Sequence, residues 1–120
     1  MDNLVTISAA SKKRHFYVDG ANDKLVLRYV KLVGGDVSSY SSSDSFGGSI
    51  YIRNGGELQL YSCIVSNNKA KYGGGINAYG SSSTWSSGST VEVYAENSIL
   101  QGNSAVYHGG GMLVAGGTVT

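Results

Sequence analysis

Apolar residues recur two positions apart, in short groups, along most of this chain. An eleven-residue block that begins at Leu25 aligns without gaps on blocks that begin at Leu58 and Val93. In each block, two alternating apolar or small positions precede a two-residue break, and two more follow it. Alternation with a period of two is typical of a strand that buries one face. Each block therefore predicts two short strands that meet at a bend.

The aligned blocks define rows of residues that are expected to face inward, and all of these residues are apolar or small. The rows are Leu25/Leu58/Val93, Leu27/Leu60/Ala95, Val30/Cys63/Ser98 and Leu32/Val65/Leu100. A further strand is predicted after each glycine cluster, with the inward pairs Phe16/Val18, Ile50/Ile52, Ile76/Ala78 and Met112/Val114. Leu4-Val5-Thr6-Ile7 alternates in the same way and predicts one more strand.

The blocks begin 33 and 35 residues apart, a spacing typical of a solenoid whose coils stack strand upon strand. Helical repeats are disfavoured because glycine is too frequent and the apolar period is not helical. We therefore predict one all-β domain over residues 1–120, with about three coils of three short strands each. The expected coils span roughly residues 14–46, 47–72 and 73–108, with a partial coil at 109–120.

Two short motifs recur within these coils. The first motif is a glycine cluster followed by an apolar residue: Gly47-Gly48-Ser49-Ile50, Gly73-Gly74-Gly75-Ile76 and Gly109-Gly110-Gly111-Met112. The second is an apolar residue followed three positions later by asparagine: Val65-Ser66-Asn67-Asn68 and Leu100-Gln101-Gly102-Asn103. With them, roughly residues 14–114 resemble the repeats of the polymorphic outer-membrane proteins of chlamydiae, although Val65 and Leu100 replace the usual phenylalanine. More broadly, the chain is similar to pectin-lyase-like proteins. The resemblance implies a right-handed parallel β-helix and an extracellular or cell-surface location.

Asn68, Asn103 and Gly35 occupy equivalent positions just after the second strand of each block. Asparagine tolerates left-handed dihedral angles and hydrogen-bonds its own backbone, which suits a tight corner. Stacked asparagine side chains can also bond one another from coil to coil. We predict a structural role for the two asparagines, with Gly35 supplying the same left-handed conformation without the side-chain bond.

Charge is balanced, with nine Lys and Arg residues against eight Asp and Glu residues. A net charge of +1 does not indicate a nucleic-acid partner. The basic run Lys12-Lys13-Arg14 is interpreted as a solvated loop, with a phosphate contact as the alternative. No apolar run approaches the ~18 residues of a membrane span. Because no signal peptide precedes the first strand, we expect either an intracellular protein or a segment of a longer secreted one.

Candidate chemistry is sparse. The single cysteine, Cys63, excludes an intrachain disulfide and is predicted to be a buried, inert thiol. Asp19 and Asp23 admit a calcium site, but an ordinary corner is the favoured interpretation. No two of the eight acids are expected at equivalent positions in successive coils, and neither histidine has partners at metal-site spacing. We therefore predict no catalytic residue, no metal site and no cofactor.

Aromatic residues are the remaining candidates for binding. Tyr17 and Tyr51 are expected on the outward face of a strand, Tyr40 in the insertion 36–45, and Trp85 in a second loop rich in serine. Such rings can stack on sugars, although they can equally cover strands. The favoured function is a non-enzymatic structural or surface-binding module, adhesin-like, with a glycan or a protein surface as partner. The alternative is a fragment of a polysaccharide lyase or glycoside hydrolase whose catalytic acids lie outside this chain.

The two ends of the chain carry a further expectation. A solenoid coil contacts only its neighbours, so an uncapped terminal coil leaves apolar surface and strand edges open. Leu4–Ile7 reads as a strand, and 112–120 reads as the start of another coil. We therefore expect either continuation of the stack in a longer chain or end-to-end self-association.

Overall fold

A computed structural model describes residues 4–80 and 90–120, and this part of the chain is all-β. Its strands are β1 (Val5–Ser8), β2 (Phe16–Asp19), β3 (Lys24–Arg28), β4 (Val30–Val33), β5 (Ile50–Arg53), β6 (Glu57–Tyr61), β7 (Ile64–Ser66), β8 (Lys69–Tyr72), β9 (Ile76–Tyr79), β10 (Val91–Glu96), β11 (Ile99–Gln101), β12 (Ser104–His108), β13 (Met112–Ala115) and β14 (Gly117–Val119). One short 3-10 helix spans Ser42–Ser45. No helix in these ranges is long and apolar enough to cross a membrane.

The strands form four sheets, and the neighbours in each sheet run parallel. Three sheets have four strands each, in the orders β1-β4-β7-β11, β3-β6-β10-β14 and β2-β5-β9-β13. The fourth sheet pairs β8 with β12. Each sheet is thus assembled from equivalent strands of successive repeats. The predicted all-β, parallel organisation is confirmed.

The register of these sheets matches the predicted rows. The paired residues include Leu25/Leu58/Val93, Leu32/Val65/Leu100 and Phe16/Ile50/Ile76/Met112. The predicted first strand also forms, because β1 pairs with β4 along its whole length. A one-residue slip would turn each strand's apolar side chains towards solvent, so the alternating pattern specifies the register strongly.

The inward rows form one apolar core. Its fully buried members include Leu32, Ile50, Ile52, Leu58, Leu60, Val65 and Ile76. Burying one such side chain stabilises a fold by roughly 1.5–3 kcal/mol. Cys63 lies in this core with no exposed surface, and its Sγ lies 3.4 Å from the Leu27 carbonyl oxygen. The prediction of a buried thiol is confirmed.

Strands β8 and β12 add a fourth strand to two of the repeats, where the sequence predicts three. Ala70 and Ala105, each the second residue of its strand, pair with each other, and the register shifts between Ala105 and His108. Neither strand gives a clear signal, because β8 (Lys-Ala-Lys-Tyr) alternates over only four residues and the apolar residues of β12 (Ser-Ala-Val-Tyr-His) are consecutive. Two isolated bridges, Asp36 with Lys69 and Phe46 with Tyr72, extend the same row to the first repeat.

At the asparagine corners, the residue with a left-handed backbone lies one position before the predicted one. Gly34, Asn67 and Gly102 have φ angles of 77°, 56° and 65°. Gly35 is needed for a different reason, since a Cβ at that position would overlap the carbonyl oxygen of Gly48 in the next coil. The assignment of a left-handed backbone to Gly35 is therefore wrong, and close approach of two backbones explains this glycine instead.

The side chains of the corner asparagines link three repeats by hydrogen bonds. The Asn68 side-chain amide donates to the carbonyl oxygens of Leu32 and Ser66 at 3.2 and 3.0 Å. Its Oδ1 accepts the backbone N–H of Gly35 at 2.7 Å. In the next repeat, Asn103 Oδ1 accepts from Asn68 Nδ2 at 3.0 Å. This connected set of bonds satisfies polar groups that would otherwise be buried without partners.

Candidate functional site

Arg14 makes hydrogen bonds to distant parts of the chain that the sequence did not predict. Its Nη2 donates to the carbonyl oxygens of Asp44 and Phe46 at 2.8 and 2.9 Å, and its Nε donates to that of Gly47 at 3.3 Å. Burial lowers the pKa of Arg14, although the charge of Asp44 acts in the opposite direction. The interpretation of this basic run as a solvated loop is therefore wrong for Arg14, which anchors the end of the insertion 36–45.

The start of the insertion is tied to the same basic run. The backbone N–H of Asp36 donates to the carbonyl oxygen of Lys13 at 3.1 Å. The Asp36 carboxylate accepts the N–H and the hydroxyl of Ser38 at 2.9 and 2.6 Å. Burial raises the pKa of Asp36, but the Ser38 hydrogen bonds and the charges of Lys69 and Lys12 outweigh it and hold the pKa below its ordinary value.

A cleft of about 290 Å³ opens where the insertion meets the basic run. Its lining residues are Lys12, Lys13, Arg14, Val37, Tyr40 and Asp44, and we call it the insertion cleft. Tyr40 closes one side, because its hydroxyl donates to the carbonyl oxygen of Lys12 at 2.6 Å. Of the sequence-predicted binding residues, Tyr40 is the one that lines this cleft. The participation of Lys12 and Lys13 was missed, because they are distant from the insertion along the chain.

Tyr17 and Tyr51 lie beside each other on the outward face of β2 and β5. Their ring centroids are 5.3 Å apart in a stacked arrangement, and the guanidinium carbon of Arg14 lies 5.5 Å from the Tyr51 ring centroid. Tyr17 is 51% exposed, whereas Tyr51 is only 4% exposed, with Phe46 packed edge-on against it. The Tyr17 ring is therefore accessible to a ligand, and the buried Tyr51 ring stacks against it. Trp85 lies outside the described residues.

A second concave surface, of about 320 Å³, lies on the outward face of β6 and β10. It is lined by Glu57, Gln59, Tyr61, Glu92, Val93, Tyr94, Thr118 and Thr120, and we call it the glutamate groove. The Tyr61 and Tyr94 rings line it with centroids 5.6 Å apart, and the Tyr61 hydroxyl donates to Gln59 Oε1 at 2.9 Å.

The glutamate groove contradicts one expectation about acids. Glu57 and Glu92 are paired residues of adjacent strands, so two acids do occupy equivalent positions in successive repeats. The alignment of the blocks finds them when it is extended by one position, because each glutamate directly precedes the first residue of its block, Leu58 or Val93. Lys24 Nζ lies 3.3 Å from Glu57 Oε2 and offsets part of the like-charge repulsion. Such a pair can accept hydrogen bonds from the hydroxyl groups of a sugar.

His15 has a polar environment that the sequence did not indicate. Its Nδ1 lies 2.9 Å from Ser49 Oγ, and its Nε2 lies 3.0 Å from the carbonyl oxygen of Ile7. Ser49 has no exposed surface, so this serine–histidine pair cannot meet a substrate. Within residues 4–80 and 90–120, no three His, Cys, Asp or Glu side chains converge as a metal site would require.

No protein-family model matches this chain, and neither a curated protein nor a solved structure matches it. Its function is therefore inferred from the stacked sheets and from the two concave surfaces.

Proposed function

We propose that this chain is a segment of a right-handed parallel β-helix that acts as a non-enzymatic, adhesin-like binding module. Four parallel sheets built from equivalent strands of successive repeats support the solenoid part of the proposal. The glycine–glycine–apolar clusters and the asparagine corners, which resemble chlamydial outer-membrane protein repeats, support the same architecture. By that resemblance we place the module outside the cell or at its surface.

The observation that carries the binding function is the insertion cleft. Solenoids restrict change in their stacked strands, so functional variation gathers in insertions. Here the insertion 36–45 is held by Arg14 at one end and by a backbone bond to Lys13 at the other. A loop fixed in this way costs little ordering entropy when a ligand binds. A glycan is the favoured partner, because Tyr40 and the nearby exposed Tyr17 offer rings for stacking.

A panel of immobilised glycans tests this function directly. We expect the purified chain to bind at least one glycan class, and we expect Tyr40→Ala to weaken that binding by about tenfold, because tyrosine is enriched among the residues whose truncation costs most. The matched control is Tyr107→Ala, which removes an exposed ring of β12 outside the cleft. Equal losses in the two variants, or no binding to any glycan, would contradict the proposal.

A second candidate function is favoured by the Glu57/Glu92 pair alone. Retaining glycosidases place two carboxyl groups about 5–5.5 Å apart, a separation that glutamate side chains on adjacent strands ~4.8 Å apart can reach. Incubation of the chain with polysaccharides and detection of new reducing ends separates this candidate from the first. Turnover that disappears in Glu57→Gln and in Glu92→Gln would support an enzyme, whereas binding without turnover supports the adhesin-like module.

A further inference from the structure

The insertion cleft concentrates positive charge on a nearly neutral protein. Three of its six lining residues are basic and one is acidic, whereas the whole chain carries a net charge of +1. Among the residues that the structure describes, ion pairs join Lys24 to Glu57 and Arg53 to Asp19, and both lie away from this cleft. Basic side chains that line a concavity focus a positive potential into it.

The backbone beneath Lys12 and Lys13 is held in one conformation. The carbonyl oxygen of Lys12 accepts the Tyr40 hydroxyl, and that of Lys13 accepts the N–H of Asp36. Lys12 adopts a left-handed φ of 59°, and the Lys13 N–H donates to the Ala10 carbonyl oxygen at 3.1 Å. A non-glycine residue is held in this conformation only when its surroundings impose it. The side chains of Lys12 and Lys13 therefore extend from a backbone whose position beside the cleft is fixed by hydrogen bonds.

The main role of Arg14 in the cleft is to hold the end of the insertion in place, and not to bind a ligand through its charge. Its guanidinium donates to the carbonyl oxygens of Asp44, Phe46 and Gly47, so few of its five N–H groups remain for a ligand. The bond to the Asp44 carbonyl oxygen holds this lining residue at the rim of the cleft. Lys12 and Lys13 are then the side chains that can meet an incoming anion, with the Tyr40 ring beside them.

We propose that the insertion cleft recognises an anionic sugar, with Lys12 and Lys13 contacting its sulfate or carboxylate group and Tyr40 contacting its ring. This inference rests on the proposed glycan-binding function and names the chemical class of the ligand. Sulfate and carboxylate groups share the oxyanion chemistry that an ammonium group binds as a point charge. Binding through exposed lysines is screened by salt, so affinity falls as ionic strength rises.

Calorimetric titration of the purified chain with three oligosaccharides of similar length, one sulfated, one carrying uronic acids and one neutral, tests the ligand class. We expect an anionic oligosaccharide to bind more tightly than the neutral one, and more weakly at high salt. The stronger of the two anionic ligands identifies the source of the oxyanion. Lys12→Gln/Lys13→Gln should weaken its binding by about tenfold, which corresponds to two exposed charge contacts of ordinary strength.

Lys31→Gln/Lys71→Gln is the matched control, because it removes the same charge from side chains outside the cleft. We expect it to change the affinity by less than about twofold, since these lysines do not line the cleft and exposed charges that make no direct contact are screened by salt. An equal loss in the two double variants would overturn the proposal, since binding would then depend on overall charge. All four lysines lie at least partly exposed, and circular dichroism confirms that each variant is folded.

Further outcomes separate this inference from the function on which it rests. Tyr40-dependent binding of the neutral oligosaccharide with equal affinity would overturn the anionic class and leave glycan binding intact. Failure of all three oligosaccharides to bind would contradict both. Binding to vesicles that contain anionic phospholipid, with no binding to the sugars, would overturn the proposal in favour of a lipid headgroup.

Discussion

His15 is a single side chain that joins three segments of the chain. It contacts the carbonyl oxygen of Ile7 in β1 through Nε2 and the hydroxyl of Ser49, ahead of β5, through Nδ1. A neutral imidazole satisfies both contacts, with one nitrogen donating to the carbonyl and the other accepting from the hydroxyl. Burial lowers the pKa of His15, and the backbone hydrogen bonds of Ile7 and Val33 only partly oppose this effect.

We expect the free energy of unfolding to fall as the pH decreases below about 6.5, the ordinary pKa of histidine. The reason is that unfolded His15 takes up a proton more readily than folded His15, so acid favours the unfolded chain. Urea denaturation at several pH values between neutral and mildly acidic measures this slope. His15→Gln should flatten it, whereas substitution of the exposed His108 by Gln serves as the control. An unchanged slope in His15→Gln would assign the pH dependence to other groups.

The carboxylate of Asp36 also lowers the free energy of unfolding as the pH falls, but at a lower pH than His15 does. Because its pKa is held below the ordinary value, its stabilising contribution is present above that value and is lost as the pH falls through the folded pKa. The two effects are thus separated along the pH axis.

Corners and strands stabilise each other through the bonds of Asn68 and Asn103. Asn68 is 1% exposed and accepts from Gly35 while it donates to two carbonyl oxygens. Asn103 is half-buried, and its Nδ2 donates to the carbonyl oxygen of Val65 at 2.8 Å. The hydrogen bonds of Asn68 are therefore more deeply buried than those of Asn103, and their loss is expected to lower the free energy of unfolding by more.

We expect Asn68→Ala to lower the free energy of unfolding by about 2 kcal/mol and Asn103→Ala by about 1 kcal/mol, because buried groups left without partners cost more than exposed ones. Chemical denaturation followed by circular dichroism measures both values. Asn67→Gly is the control, since Asn67 is exposed and has a left-handed φ that glycine adopts freely. Wild-type stability in Asn68→Ala would show that these bonds contribute nothing, and loss of glycan binding in a stable variant would make Asn68 a ligand contact.

Within residues 4–80 and 90–120, the paired strands share one apolar core. Leu60 lies in the middle of that core, with no exposed surface, between Leu27 of β3 and Ala95 of β10. A polar group at this position would remain without partners, at a cost that is large compared with the total stability of a small domain.

Leu60→Asp should therefore abolish cooperative folding, because an unpaired buried charge costs several kcal/mol out of roughly 5–15 kcal/mol. Thermal unfolding followed by circular dichroism checks this expectation. Leu60→Met keeps the volume and the apolar character, so its cost should stay below about 1.5 kcal/mol. If Leu60→Asp unfolded at the wild-type temperature, the stacked register would be wrong at this position.

Much of the strand organisation could be predicted from the sequence. Parallel strands stack at one fixed spacing and alternate inward and outward, so a gap-free alignment of repeats places Leu25, Leu58 and Val93 in one row. Extending the same alignment by one position towards the N-terminus finds the Glu57/Glu92 pair. Strands β8 and β12 were not predicted, because β8 alternates over only four residues and the apolar residues of β12 are consecutive.

The insertion cleft depends on contacts that no local pattern specifies. Lys12, Lys13 and Arg14 meet the insertion through bonds between residues more than twenty positions apart, such as Arg14 to Asp44 and Tyr40 to Lys12. Likewise, Tyr51 alternates outward in the sequence, yet Phe46 packs against it and leaves it 4% exposed. Alternation reports which face of a sheet a side chain lies on. Whether that face is open or covered is decided by loops, whose conformation follows from long-range hydrogen bonds and packing.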